Sequence, residues 1–330
     1  MNERVLICGS NSFSGSHYAA YCLEHGMDVA GVSRSSELDP AFLPYKKVKG
    51  TKELVFRRFD LNRDLDQLMD FVMEFKPDYV VNFAAQGMVG ESWNAPEQWL
   101  MTNTVSAVRF HDRLRKLPFL KKFVQISTPE VYGSCKDLVR ENYSYDPNTP
   151  YAVSKAAADM SLMTFYRNYN FPVVFTRAAN VFGPGQQLYR IVPIAIMKVL
   201  KGEKILLHGG GTSIRSFIHI RDVADGTFRV MTEGRPGEVY HFSTSRLISI
   251  KDLVKLILNR LGASFEDCVE AAPDRLGKDS IYQLSSEKAR KELGWKDVIT
   301  LEQGIDETIF WIKASFQRFK DNPCKYIHKE

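Results

Sequence analysis

Tyr151 and Lys155 stand four residues apart in Tyr-Ala-Val-Ser-Lys, directly after Pro150 at what reads as the start of a helix. That spacing puts a phenol and an ammonium on one helix face. A neighbouring cation stabilises phenolate and draws the tyrosine pKa towards neutrality, which makes Tyr151 a candidate general base. Upstream, Ser127-Thr-Pro-Glu-Val-Tyr-Gly133 begins where an apolar run ends. Thr128 can hydrogen-bond the oxygen that Tyr151 deprotonates, and Glu130 offers a carboxylate base two residues further on. Pro129, between them, has no proton to give. Tyr-x-x-x-Lys alone is common on surface helices. Behind a glycine loop and a threonine at a strand end it is far more specific.

That glycine loop is Gly9-Ser-Asn-Ser-Phe-Ser-Gly15, which follows a strand-like run and opens a helix, the context of a dinucleotide-binding loop. Gly9 permits the tight turn. Gly15 allows helix and strand to approach, with the helix N-terminus aimed at a pyrophosphate. Asn11, Ser12, Phe13 and Ser14 complete the cradle, and Ser12 takes the place of the usual middle glycine, so a shifted loop is expected. Asp60, with Leu61 beside it, is placed to accept from an adenine amino group. The end of the second strand, Val32-Ser33-Arg34, lacks the acidic residue that binds a ribose 2′-hydroxyl. Arg34 suits a 2′-phosphate instead, which favours NADP over NAD.

The elements that must position these groups alternate. Apolar runs at Val5–Cys8, Val29–Ser33, Val55–Phe59, Tyr79–Phe83, Phe123–Ser127 and Val173–Arg177 read as strands of a parallel sheet buried on both faces. Helical patterns lie between them, Ser16–His25 closed by Gly26 and Asp66–Phe75 with a clear apolar side. The expectation is an α/β fold with a doubly wound, Rossmann-type parallel sheet over residues 1–180. After about Val181 proline and glycine break the chain into shorter elements. Residues 181–330 read mainly as a smaller α+β substrate-binding domain, with strands returning to the large sheet within 217–245. Asp252–Leu261 and Leu301–Phe319 read as amphipathic helices, and the polar stretch from Gln317 to Glu330 as a frayed tail.

Composition narrows the function classes. The 330 residues are 44% hydrophobic and 25% charged, values of an ordinary globular protein. Lys and Arg exceed Asp and Glu by 44 to 39, a diffuse +5 that argues against nucleic acid but leaves room for a small anion. No apolar run is long enough to span a membrane and the chain opens straight into a strand, so a cytoplasmic protein is expected. The five cysteines are scattered and never spaced Cys-x-x-Cys, and His208, His219 and His241 lack metal-ligand spacing. Reduced thiols and no metal are expected. Trp93 and Trp99 read as packing residues.

From about Arg4 to Trp311 the chain resembles the extended short-chain dehydrogenase/reductases that modify nucleotide sugars. The resemblance runs through the glycine loop, Asn82-Phe-Ala-Ala85, Asn103, Thr128 with Tyr151 and Lys155, and Arg177-Ala-Ala-Asn-Val-Phe-Gly-Pro184. It continues in Arg215-Ser-Phe-Ile-His-Ile-Arg-Asp222 and Leu293-Gly-Trp295. It implies that Ala84, Ala85, Tyr151 and Lys155 also touch the cofactor. It further implies that Thr128, Asn180, Arg215 and Arg275 bind a nucleotide diphosphate-sugar, and that two copies of the chain pair as a homodimer.

Glu130 chooses among the members. The resemblance implies a 4,6-dehydratase, which oxidises hexose carbon 4, eliminates water across carbons 5 and 6, and returns hydride to carbon 6. Glu130 is then the base at carbon 5. Glucose-type dehydratases carry Asp where Pro129 stands, mannose-type ones serine, and Met88 replaces a usual histidine. These departures leave the hexose and the nucleotide open. They also leave open a UDP-glucuronate decarboxylase, a nucleotide-sugar 4-epimerase, or a catalytically silent dinucleotide-binding scaffold or sensor.

Overall fold

A computed structural model describes residues 2–50, 52–135, 137–273 and 283–328. Seven strands form one parallel sheet, each pairing in register with its neighbours. Across the sheet they run Val55–Arg58, Asp28–Ser33, Arg4–Cys8, Tyr79–Asn82, Lys122–Ile126, Val173–Ala178 and Val239–Phe242. Numbered by chain order within the sheet, this is 3-2-1-4-5-6-7. The order reverses between Arg4–Cys8 and Tyr79–Asn82, and the strand ends there open a crevice suited to a ligand.

The continuous apolar character of the strands follows from two covered faces. Val5 and Ile7 join Val29, Val81, Val124 and Val174 in one core, under the helices Phe13–Glu24 and Ile220–Glu233. Leu6 and Cys8 join Ala30, Val32, Val80 and Phe123 in the other, under Leu65–Phe75, Ala107–Leu114 and Pro150–Tyr169. Alternate residues of each strand thus serve opposite faces, and both must be apolar. Val55–Arg58 departs from this expectation. It is the edge strand, Val55 is 39% exposed and both arginines face solvent. An edge carrying charge resists pairing with another chain.

Phe13–Glu24 starts three residues earlier than the sequence suggests, because Ser12 caps it, and Gly26 follows its end with a left-handed φ of 76°. The sheet's last strand, Val239–Phe242, comes from the 217–245 region, while Ile214–His219 joins a short sheet instead. A separate core gathers Val192, Ile196, Phe217, Leu253, Ile257 and Ile305 beside short sheets. One of these joins Asn180–Phe182, Ile214–His219 and Leu247–Ser249. The C-terminal stretch is not frayed. Its helix, Leu301–Phe319, ends on a buried Phe319, and the chain beyond it lies against the body of the protein, with His328 stacked on the buried Trp99 at 5.1 Å. Trp93, by contrast, is 53% exposed and not a packing residue. Among the described residues no helix is long and apolar enough to cross a membrane.

Trp295 pins the helix Glu287–Leu293 to the sheet. It is fully buried against Phe242, ring centroids 5.0 Å apart, and its indole N–H donates to Asp222 O at 2.8 Å. Trp295→Ala should therefore cost about 3–5 kcal/mol of stability, read as a lower urea midpoint.

Candidate active site

A cleft of about 770 Å³ opens at the carboxyl ends of the strands, where the sheet order reverses. Gly9, Asn11, Ser12, Phe13 and Ser14 line it at one end. Gly9 has a φ of +82°, and a Cβ there would sit 2.7 Å from the Ala84 backbone nitrogen. A Cβ on Gly15 would run into the Gly9 carbonyl oxygen. Gly15 lies behind the cleft wall, where it lets helix and loop touch. This backbone loop, whose close contacts at Gly9 and Gly15 leave no room for side chains, fits a dinucleotide pyrophosphate.

The loop is closed at Ser12 by a cap. Ser12 has an ordinary extended conformation, φ −73° and ψ 159°, so its position does not need glycine. Its hydroxyl accepts from Gly15 N at 3.0 Å. Asn11 braces the loop against the second strand, its N–H donating to Ser33 Oγ at 3.0 Å and its amide to Ser35 O and Ser36 O at 2.9 Å. Arg34, Asp60, Leu61, Ala84 and Ala85 all line the cleft, and Asp60 Oδ1 accepts from Asn62 N at 2.8 Å.

Thr128, Glu130, Tyr151 and Lys155 meet at the other end. Thr128 is the N-cap of a tight turn, Pro129–Tyr132, and its Oγ1 accepts from Glu130 N at 3.3 Å. Pro129 occupies the first position of that turn, where its fixed φ is already suitable and its missing N–H costs nothing. Thr149 caps the helix Pro150–Tyr169 in the same way, its Oγ1 accepting from Ala152 N at 3.2 Å. The Thr128 hydroxyl and the Glu130 carboxylate both act on the Tyr151 phenol, in opposite senses.

The electrostatics differ from the sequence expectation. Burial first, then the Glu130 charge, push the Tyr151 phenol above its usual pKa, against the pull of Thr128 and Arg190. Lys155 Nζ is turned to Ile126 O, 2.8 Å away, and is not among the main influences on the phenol. Burial pulls the Lys155 ammonium below its ordinary value and the Asp159 carboxylate opposes that pull. Spacing alone put phenol and ammonium on one face. It did not say which acceptor the ammonium would choose.

Asn103 ties the two halves of the site together. The helix is under-wound into a π turn at Met101–Ser106, and Asn103 within it is buried. Its side chain accepts from Gln86 N at 2.8 Å and donates to Gln86 O at 3.0 Å and Ser154 Oγ at 2.9 Å.

Of the expected sugar-nucleotide residues, Asn180 lines the cleft. Arg215 does not, and its guanidinium donates to Ile214 O at 2.8 Å. Arg275 lies outside the described residues. Met88 is on the cleft wall, where the resemblance places it. Sequence reasoning missed Gln186, Gln187, Tyr189, Arg190 and Tyr326. The first four are a polar run straight after Gly183-Pro184, a signal that was present. Tyr326, ring centroid 5.5 Å from that of Tyr189, had none.

A 3-2-1-4-5-6-7 parallel sheet, a glycine cradle at its switch point and a threonine, tyrosine and lysine at the neighbouring strand end define an extended short-chain dehydrogenase/reductase. Residues 6–308 match the GDP-mannose 4,6 dehydratase family. The chain is 33% identical over 331 residues to a dTDP-glucose 4,6-dehydratase of Streptomyces antibioticus, covering 97% of this chain and 96% of that one. Its structure superposes with a TM-score of 0.89 on a dTDP-glucose 4,6-dehydratase from Streptomyces venezuelae solved with NAD and TYD bound, at 28% identity over 98% of this chain and 100% of that one. A UDP-glucose 4-epimerase from Thermotoga maritima solved with UDP-glucose has a TM-score of 0.86 at 26% identity, over 95% of this chain and 99% of that one. The chain belongs to the GDP-mannose 4,6 dehydratase family, and its class of activity is nucleotide-sugar 4,6-dehydration, a lyase reaction.

Gly9→Ala should lower affinity for the dinucleotide at least about tenfold, since the methyl needs both an adverse φ and the space of the Ala84 backbone. Isothermal titration with NAD reads this.

Proposed function

We propose that the protein converts a nucleoside diphosphate-hexose to its 4-keto-6-deoxy form, with Thr128, Glu130, Tyr151 and Lys155 as the catalytic set. The observation that carries the reading is the convergence of a carboxylate, a phenol and a hydroxyl at one end of a dinucleotide cleft. The curated relatives are named for dTDP-glucose, which makes it the first substrate to test. Solved relatives carry NAD. We therefore favour NAD over the NADP that Arg34 suggested. Gly9, Asn11 to Gly15, Asp60, Ala84 and Ala85 would hold it, and when bound it takes hydride from carbon 4 and returns it to carbon 6.

The chain's own residues move the protons. Tyr151 takes the proton from the carbon 4 hydroxyl, with Thr128 orienting the oxygen. The carbon 4 ketone acidifies the proton on carbon 5, which Glu130 removes. Pro129 cannot serve as acid, so Glu130 hands its proton to the hydroxyl leaving carbon 6, and water departs. The proton returned to carbon 5 balances the one Tyr151 removed from oxygen 4. Asn180 is placed for the sugar nucleotide, and Arg190, near the phenol, adds a cation at the same end.

The helices Pro96–Leu100 and Pro150–Tyr169, with the turn between Met101 and Ser106, expose Leu100, Met101, Val105, Val153 and Met160. This apolar face supports a homodimer paired through these helices. Light scattering should give twice the chain mass for the parent and a lower mass for Met160→Lys.

Incubation with dTDP-glucose and other nucleotide hexoses, followed by mass spectrometry, should show loss of water. Loss of carbon dioxide from a glucuronate, or inversion without mass change, would overturn the reading in favour of a decarboxylase or an epimerase. Glu130→Gln should still oxidise carbon 4 but lose at least about a hundredfold in water elimination. Full turnover in that variant would remove Glu130 from its role.

A further inference from the structure

Directly behind this set lies an ion pair that the proton transfers above do not use. Asp159 and Arg177 are both fully buried, with Arg177 Nη2 donating to Asp159 Oδ2 at 3.0 Å. The guanidinium lies against the rings of Tyr132 and Tyr145, 4.6 and 5.2 Å from their centroids, and also donates to Tyr145 Oη and Asn142 O at 3.1 Å. Asp159 Oδ2 accepts a second hydrogen bond, from Ser127 Oγ at 2.5 Å. Two charges taken this far from water gain little net stability from each other. A role other than stability is the better account.

The placement supplies one. Tyr151, Lys155 and Asp159 stand at positions i, i+4 and i+8, one face of one helix. Their partners are three consecutive residues at the end of the strand Lys122–Ile126. Lys155 bonds Ile126 O, Asp159 takes the Ser127 hydroxyl, and Tyr151 shares the cleft end with Thr128. The helix is thus tied to the strand end by hydrogen bonds on two successive turns, with Tyr151 one turn before them. The titratable and charged groups around this ladder are Arg177 from the next strand, Tyr132, Tyr143 and Tyr145 from the loop before the helix, and His111 beside Lys155. Glu130 and Arg190 flank Tyr151.

We propose that Asp159, held by Arg177, is a positioning residue for the dehydration: through Ser127 it fixes the strand end that bears Thr128, and its carboxylate is the counter-charge of Lys155. This rests on the catalytic set assigned above. A buried anion favours the protonated form of every group near it, so it raises both Lys155 and Tyr151. Removing it therefore moves both limbs of the pH–rate profile in one direction, towards acid.

Two variants test the two halves. Ser127→Ala leaves the ion pair intact and cuts only the tie to the strand. Its kcat should fall about tenfold with KM within about twofold and the pH optimum unmoved. Asp159→Asn combined with Arg177→Met removes both charges together and leaves no lone ion in the core. Its kcat–pH profile should shift to lower pH, the loss of the Arg177 charge offsetting part of the effect, with circular dichroism confirming the fold. An unchanged kcat in Ser127→Ala, or an unshifted profile in the folded double variant, overturns the proposal while the parent's activity leaves the catalytic assignment standing. Should the double variant not fold, Ser127→Ala decides alone. A parent inert towards every nucleotide hexose overturns the assignment itself and this proposal with it.

Discussion

The structure depends on the contact between the end of the strand Lys122–Ile126 and one face of the helix Pro150–Tyr169. A parallel strand ends with unpaired backbone groups, and these need partners if they are buried. Here the partner of Ile126 O is an ammonium, brought in by a helix on which Ala152, Ala156 and Ala158 are buried. The small residues let the helix sit close, and closeness lets its longer side chains reach the strand end. Without that approach the Lys155 ammonium would not reach Ile126 O.

The polar residues of the site are positioned by the groups around them, some of which lie behind the cleft wall. Asn103 reaches Gln86 and Ser154 through a π turn, and Ser154 Oγ in turn donates to Tyr151 O at 2.7 Å. Thr149 and Thr128 each cap the element that starts beside them. Such supports hold a reacting geometry to a fraction of an ångström, and reactions between aligned groups gain much of their rate from that precision. Pro129 belongs to this framework. It gives up any acid function and supplies a preset turn that aims Glu130 at Tyr151.

Much of this was readable in the residues. The six expected strands lie within one or two residues of those in the sheet, because a strand buried on both faces must be apolar throughout and a helix facing a sheet must not. The glycine loop, Thr128, Glu130, Tyr151 and Lys155 were readable too, since each answers to local spacing. What escaped depends on tertiary distance. Arg177 was visible only as part of a motif, and nothing in its surroundings named Asp159, eighteen residues earlier, as its partner. The sense of the Tyr151 shift was misread because spacing counts the nearby lysine but not the depth of burial or the glutamate across the turn. Ser12 looked like a defect in a glycine motif, and its backbone turned out to need no glycine.

The strand Val239–Phe242 closes the large sheet from far along the chain. Until it is in place, Val173–Ala178 is an edge, apolar and without charged side chains to discourage a neighbour apart from Arg177, which belongs in the core. On the ribosome the first six strands emerge well before the seventh, so this edge waits through the synthesis of the whole stretch from Ala178 to Val239. The large sheet therefore cannot be excised as the first 180 residues of the chain. A fragment ending there would keep the glycine cradle and Tyr151 but present an open, sticky strand in place of a finished sheet. The unit that folds as a whole extends at least to Phe242, across the very region that composition would have used to divide it.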